Sequence, residues 1–319
     1  MALLEVKNLK TYFKIRRGYV KAVDNVSFKL EKGEAIGLAG ESGCGKTTTA
    51  LSILKILPPN GEIKGGKILY SGIDLTKLSE EKMRKDIRWK EISIVFQGAM
   101  NALNPVYKIG DQIVEAILIH ENVTEKEAIS RAKKLLELVG IDQTRFDNYP
   151  HEFSGGMKQR ALIAMALACN PSLLIADEPG TALDVIVQAQ ILRLLRELKE
   201  KLNLAMILIT HDLSIIAETC EKTAIMYAGK IVEHGDSVKI FKNPLHPYTS
   251  GLISAFPSIK GPKVRIAAIP GTPPDLLNPP SGCRFHPRCK YAMEICEKEE
   301  PSEIEVETDH FVSCHLIKR

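Results

Sequence analysis

The chain has 319 residues, 45% of them hydrophobic and 26% charged. That length allows two ordinary domains, each with its own buried core, and the composition is that of a soluble globular protein. A formal charge of +4 with no run of Lys or Arg excludes a nucleic-acid arm, so no nucleic acid is expected as a partner.

From the N-terminus, MALLEVKNLKTYFKI meets charge at Glu5 and has no apolar core leading to a small-residue cleavage site, so it does not read as a secretory signal. AVDNVSFKL and, further on, GGKILYSGIDL alternate apolar with polar residues and predict half-exposed antiparallel strands. Between them EAIGLAG predicts a buried strand, and KTTTALSILKIL the helix after it. The stretch from about 100 to 170 is helical in pattern, as in EKEAISRAKKLLELVG. The longest uncharged run, 161–176, is interrupted by Asn170 and Pro171 and makes a poor membrane span. SLLIADE and AMILITHD predict two more buried strands. Between them Ile191, Leu194, Leu195, Leu198 and Leu202 recur at helical spacing.

Strands alternating with helices imply a mainly parallel sheet with covered faces. Eleven of the 17 prolines lie between Pro244 and Pro301, which breaks regular structure there and places a domain boundary near residue 245. The expected fold class is α/β. Its core spans 1–245, with an antiparallel β subdomain and a helical insertion at about 98–170. An irregular, cysteine-containing extension follows over 246–319.

Three motifs carry chemistry. GESGCGKT, Gly40 to Thr47, has the spacing of a phosphate loop. Its glycines let backbone N–H groups curl around an anion, and the following helix offers its positive end. Lys46 would reach the β- and γ-phosphates, and the Thr47 hydroxyl would face Mg²⁺. In LLIADE, Asp177 is placed to hold Mg²⁺ through water, and Glu178 to polarise a water aimed at the γ-phosphate. FSGGMKQR is a second anion cradle, a Ser-Gly-Gly turn running into a helix. One ATP site does not need two cradles, so the second makes sense if it serves a nucleotide held by another copy.

In this order the motifs resemble those of ABC-type ATPases, over roughly residues 4 to 240. The resemblance implies that Ser154, Gly155 and Gly156, with Gln159, close over ATP bound to the opposite subunit. Gln97 in IVFQ would touch Mg²⁺ and report to a membrane partner. Ala182, Leu183 and Asp184 would cross the dimer interface, and His211 would contact the γ-phosphate. ATP would be held by Gly40, Ser42, Gly43, Cys44, Gly45, Lys46, Thr47 and Thr48. Its adenine would stack on an aromatic residue, for which family registration favours Phe13 while Tyr12 and Tyr19 compete. Lys46, Glu178 and His211 are the implied catalytic residues.

Only 56 residues separate Gln97 from Ser154, too few for the coiled-coil arms of chromosome-type members. A single ATPase copy is also unlike many soluble translation-type members. NALNPVYKIGDQIVEAI, NPLHPYTSGLISAFP, PGTPPDL and GCRFHPRC resemble the ATPase subunits of dipeptide and oligopeptide importers. That resemblance implies a peripheral subunit on the cytoplasmic face of the membrane. Its partners would be two permeases, a second ATPase subunit (a paralogue or a copy of itself) and an external peptide-binding protein. The permease would meet the helical part around 98 to 125. Nickel importers use closely similar subunits, and a soluble non-transport ABC ATPase is the further alternative. Gly98 and Gly180 stand where the family usually has Asp and Thr, and are expected to loosen their loops. Phe153 replaces a commoner Leu.

Cys44 is expected to be incidental, and Cys169 and Cys220 to be core thiols. Cys283, Cys289, Cys296 and Cys314 are separated by five, six and seventeen residues. An intracellular setting disfavours disulfides. Four thiolates suit structural Zn²⁺ or an iron–sulfur cluster, though the spacing is neither a zinc knuckle nor a ferredoxin run. His286, His310 and His315 keep a mixed zinc site open, and unligated thiols are equally compatible with the spacing. Resemblance to dipeptide-type subunits with such a tail implies a 4Fe–4S cluster at these four cysteines. Its role would be structural or regulatory, because ATP hydrolysis needs no electron transfer.

Overall fold

The structure, a computed structural model, describes residues 2–98, 102–255 and 269–317. The start of NALNPVYKIG at Asn101, and 256–268 with the end of NPLHPYTSGLISAFP, lie outside the described residues. The chain forms two compact units. The first comprises Met1–Glu31, Ala35–Lys77 and Ile209–Arg319, and the second Lys32–Glu34 and Leu78–Leu208.

The first unit begins with β1 (Leu4–Ile15), β2 (Gly18–Leu30), β3 (Ala35–Ala39), α1 (Lys46–Leu54), β4 (Gly61–Tyr70) and β5 (Ile73–Asp74). The second supplies α2 (Glu80–Lys82), β6 (Ile92–Val95), α3 (Ile109–His120), α4 (Glu125–Leu138), α5 (Gly155–Ala166), β7 (Leu173–Asp177) and α6 (Val185–Leu202). β8 (Ala205–Ile209) leads back to the first unit. There the chain adds α7 (Leu213–Thr219), β9 (Lys222–Tyr227), β10 (Lys230–Asp236), α8 (Ser237–Lys242) and α9 (Pro247–Ser254). It ends with α10 (Glu294–Lys298), β11 (Ile304–Glu307) and β12 (His310–Val312).

In the first unit β1 pairs antiparallel with both β2 and β4, in the order β2-β1-β4-β5. Leu4, Val6 and Leu9 of β1 and Val26, Phe28 and Leu30 of β2 are buried, as half-exposed strands require. The other sheet segment of this unit runs β11-β12-β10-β9-β3. It is parallel between β3 and β9 and antiparallel from β9 outward. β3 is buried at every position, and Gly37 within it leaves room for α7: a Cβ there would lie 2.3 Å from Ile216 Cγ2.

In the second unit β7 and β8 are likewise buried throughout, as the runs LLIAD and AMILI predict. β7 pairs parallel with β6. α4 opens on a capping box between Thr124 and Glu127, and the Asp184 side chain caps α6 by accepting from Val187 N–H. The helices α3, α4 and α5 fall where helical periodicity was expected.

The extension is less irregular than its prolines suggest. Past Pro301, IEVE and HFV form β11 and β12, turning at Asp309 (φ 56°), and β12 adds to the edge of β10. A buried polar knot pins them. Glu233 of β10 accepts from Leu245 N–H (2.9 Å), His246 N–H (2.9 Å) and His310 Nε2 (2.8 Å), and both Glu233 and His310 are fully buried. His246 caps α9 by accepting Tyr248 N–H at Nδ1 (3.0 Å). Burial drives its pKa down to about 3, so the ring is neutral and free to accept.

Glu233→Ala would strand two backbone donors and one imidazole in a dry site. Urea unfolding of this variant should show a loss of about 3 kcal/mol. A loss under about 1 kcal/mol would mean that the knot is not what holds the extension.

Candidate functional site

In the first unit the phosphate loop leaves β3 at Ala39 and enters α1 at Lys46. Gly40, Gly43 and Gly45 have φ of 146°, 78° and 109°. Two of them are also pressed against backbone. A Cβ at Gly40 would lie 2.1 Å from Met226 O, and one at Gly45 2.3 Å from Ala22 O. Gly229 N–H donates to Cys44 O (2.9 Å) and fastens the loop to the β9–β10 turn. Lys46 is buried, and its ammonium donates to Gly40 O (2.7 Å) and Glu41 O (3.1 Å). Ser42, Gly43 and Thr47 are exposed and Thr48 is half-buried. Cys44 packs beneath Gly40, where burial raises its thiol pKa and outweighs the pull of Lys46. A buried neutral thiol of this kind is inert.

His211 is exposed and follows β8. Its turn is tied to β3 through Thr210 N–H to Leu38 O (3.4 Å), and Asp212 caps α7. The three candidate aromatics differ in their surroundings. Tyr12 donates its hydroxyl to Asp24 (2.8 Å), and burial, helped by Asp24, raises that phenol to about 12. Phe13 is half-buried and packs on Gly61, where an added Cβ would lie 2.8 Å from Phe13 Cε1. Tyr19 is exposed, with Lys64 Nζ 4.7 Å from its ring centre.

In the second unit Asp177 ends β7 with its side chain buried. Glu178 follows in the left-handed region (φ 47°), an unusual conformation for a non-glycine residue and one that concentrates at functional sites. Its Oε2 accepts from Gln97 Nε2 (2.6 Å) and from Thr181 Oγ1 (2.9 Å). Gln97 and Glu178, read separately in the sequence, are therefore in direct contact. Gly98 has φ 70° with open space around it, so its freedom is conformational. Gly180 stands in a more crowded place. It lets Gln188 pack closely, since a Cβ there would lie 2.4 Å from Gln188 Cγ.

Ser154 caps α5, accepting Met157 N–H at 3.4 Å, and Phe153 and Gln159 are buried on either side. Gly155 and Gly156 form the first turn of α5, with Gly156 close to Val187 of α6 (2.6 Å from an added Cβ to Cγ1). Ala182 has φ 68°, Leu183 N–H donates to Gly180 O (3.2 Å), and Asp184 caps α6. Beside them Val185 and Ile186 are 81% and 72% exposed, an apolar pair on the solvent side. Sequence reading missed these two, although they precede the Ile191 helical phase and could have been marked as out of pattern.

Thr47 hydroxyl, Gln97 amide and Asp177 carboxylate are hard oxygen donors, the chemistry that suits Mg²⁺. The thiols of the extension are all free. Burial raises Cys283 to about 11 and also raises Cys289 and Cys314. In each case a backbone N–H two residues ahead (Phe285, Tyr291 and Leu316) hydrogen-bonds the sulfur and pulls the other way. Cys283 also feels the charges of Cys296, Cys314 and Cys289, so the four share one neighbourhood. Among the described residues, however, no group of three or more His, Cys, Asp or Glu is arranged to hold a metal ion. The nearby histidines bond elsewhere: His310 to Glu233, His286 Nδ1 to Cys283 O (2.9 Å) and His315 Nε2 to Glu299 O (2.9 Å). That removes support from a mixed zinc site. No helix among the described residues is long and apolar enough to cross a membrane.

Comparison with known proteins bears on the whole chain. The family described as "ABC transporter" matches residues 23–181, and "Oligopeptide/dipeptide transporter, C-terminal region" matches 232–296. The oligopeptide transport ATP-binding protein OppD of Bacillus subtilis is 49% identical, over 99% of this chain and 89% of its own. The dipeptide transport ATP-binding protein DppD of Caldanaerobacter subterraneus is 45% identical, over 98% of this chain and 97% of its own. Among solved structures, the dimeric post-hydrolysis state of the ATP-binding cassette MJ0796 bound to ADP and Pi is similar at a TM-score of 0.65 and 26% identity, covering 73% of this chain and 98% of that one. With the cassette and the C-terminal region both matched, and relatives aligned over nearly their full length, the chain belongs to the ATP-binding subunits of the oligopeptide/dipeptide ABC transporter family and is an ATPase.

Proposed function

We propose that this chain hydrolyses ATP to power import of dipeptides and oligopeptides through a membrane ABC transporter. The observation that carries the solute class is the match of the C-terminal region, 232–296, to a family defined by peptide transport. The cassette alone would leave the solute open. The nickel reading loses ground because the full-length relatives are named for peptides.

In this reading Gly40, Ser42, Gly43, Cys44, Gly45, Thr47 and Thr48 cradle the phosphates through backbone and hydroxyl groups, and Lys46 supplies the balancing charge. Phe13 is favoured for the adenine, with Tyr12, whose hydroxyl is bonded to Asp24, and the exposed Tyr19 as the competing rings. Thr47, Gln97 and Asp177 would hold Mg²⁺, which neutralises phosphate charge when bound. Glu178 orients or deprotonates the attacking water, Gln97 fixes the Glu178 carboxylate, and His211 holds the γ-phosphate. Ser154, Gly155, Gly156 and Gln159 would meet a nucleotide on a second ATPase subunit, with Ala182, Leu183, Asp184 and the exposed Val185 and Ile186 at the interface. The subunit would sit on the cytoplasmic face, against two permeases fed by an external peptide-binding protein. We retain 1–245 as the ATPase domain and 246–319 as the peptide-importer-type extension.

We further propose that Cys283, Cys289, Cys296 and Cys314 hold a 4Fe–4S cluster. Two features support it. The four thiols share a neighbourhood, and three of them receive an N–H from two residues ahead, a hydrogen bond that favours anionic sulfur. A cluster needs them closer together than in the arrangement described, and so would tighten these turns.

Glu178→Gln is expected to reduce hydrolysis by at least about 10³-fold while ATP-bound dimers accumulate. Near-normal turnover would remove Glu178 from its role. Loss of the chain should abolish uptake of labelled di- and tripeptides, restored by the wild type and not by Glu178→Gln. If nickel uptake falls instead, the peptide reading fails. Anaerobically purified protein should be brown and contain iron and sulfide in equal amounts. Colourless protein with stoichiometric zinc would replace the cluster with a zinc site.

A further inference from the structure

The second residue of the phosphate loop, Glu41, is gripped by the C-terminal extension at both its side chain and its backbone. Arg288 forms a bidentate pair with its carboxylate, Nη1 to Oε2 at 2.6 Å and Nη2 to Oε1 at 2.9 Å. The Glu41 N–H donates to the Tyr248 hydroxyl of α9 at 2.9 Å. Neither partner is a casual surface contact. The Arg288 side chain is 5% exposed, and its Nε donates to Pro270 O at 2.7 Å. Tyr248 is fully buried, 4.6 Å from the ring of Tyr227 and 5.4 Å from that of Phe285.

The same extension segment supports the loop a second time. Arg284 pairs with Asp24 and donates to Ala228 O, the residue before Gly229, whose N–H holds Cys44 O. Arg284, Phe285 and Arg288 all lie between Cys283 and Cys289. On the loop side, the Glu41 carbonyl accepts from Lys46 Nζ at 3.1 Å. A continuous set of contacts thus runs from the cysteine turn through Arg288 and Glu41 to Lys46.

We propose that Arg288 is a positioning residue for nucleotide binding: with Tyr248 it holds Glu41 so that the loop N–H groups and Lys46 stay aimed, and the conformation of the Cys283–Cys289 turn is felt at the ATP site. The inference rests on reading Gly40–Thr47 as the ATP-binding loop. Apart from a Cys44 N–H to Glu41 O bond (3.2 Å), N–H groups that face an anion cannot also be paired within the loop, so much of its shape has to be imposed from outside. Any energy spent reshaping it on binding would appear as weaker affinity. A guanidinium fork suits the task because two parallel hydrogen bonds fix both the direction and the distance of a carboxylate, which an ammonium does not. If the pair only docked the extension, its loss would lower stability and leave the affinity of folded protein alone.

The test uses the purified full chain, with MgATP affinity read by fluorescence titration, KM and kcat by phosphate release, and Tm alongside. Arg288→Met should raise Kd and KM for MgATP about tenfold with kcat within about twofold, and Arg288→Lys should recover part of the loss. Glu41→Gln should give the same shift, and combining it with Arg288→Met should add little, because both remove one interaction. If Arg288→Met does not fold, Tyr248→Phe removes only the hydroxyl from a ring that stays packed, and should still raise KM several-fold. A lowered Tm with Kd and KM unchanged in the folded variants would overturn the proposal and leave docking as the role of the pair. Wild-type protein that fails to bind MgATP would overturn the loop assignment, and this inference with it.

Discussion

Two backbone carbonyls, those of Met226 and Ala22, pass so close to Gly40 and Gly45 that only hydrogen fits between. Much of the first unit follows from that approach. It fixes the loop against the end of β9 and against β2, it demands glycine twice, and it sets where Lys46 begins α1. A loop that must show its N–H groups to an anion gains little from its own hydrogen bonds. Its shape comes from neighbours: Gly229 on Cys44, Tyr248 on Glu41, and Arg288 on the Glu41 side chain.

The second unit meets a related demand by different means. Glu178 is held at φ 47°, a conformation costing on the order of 1 kcal/mol for a residue other than glycine, and two hydrogen bonds to its carboxylate keep the side chain in one direction. Ser154 and Asp184 each cap a helix and so fix where α5 and α6 begin. The Ser154 cap takes the Met157 N–H and leaves those of Gly155 and Gly156 as first-turn donors of α5 for an anion.

The extension is held by polar contacts more than by a core of its own. Arg284 on Asp24, Lys230 on Glu300, Arg288 on Glu41 and the Glu233–His310 knot distribute charge along its course. Two of its aromatic rings, Tyr248 and Phe285, pack with Tyr227 of β9. A proline-rich segment that buries little apolar surface depends on such pairing, and on any staple at its cysteines, to stay in one conformation. The same pairing carries its influence to the phosphate loop.

Local pattern determined a good deal. The alternation in β1 and β2, the unbroken apolar runs of β3, β7 and β8, and the helical spacing of α6 were all legible because backbone periodicity sorts side chains to faces. The phosphate loop was legible for a similar reason: its glycines and Lys46 act within eight consecutive residues, Gly40 to Thr47. The prolines, read alone, hid β11 and β12, because pairing of β12 with β10 and of β11 with β12 outweighed a weak local preference. Only the tertiary structure decided which polar residues act together. Glu178 and Gln97 are 81 residues apart in the chain, and Glu41 and Arg288 are 247 apart. It also tied the Tyr12 hydroxyl to Asp24, 12 residues away in the chain. Such pairs depend on distance in space and on how far water is excluded from them, and neither quantity is written in the spacing of residues along the chain.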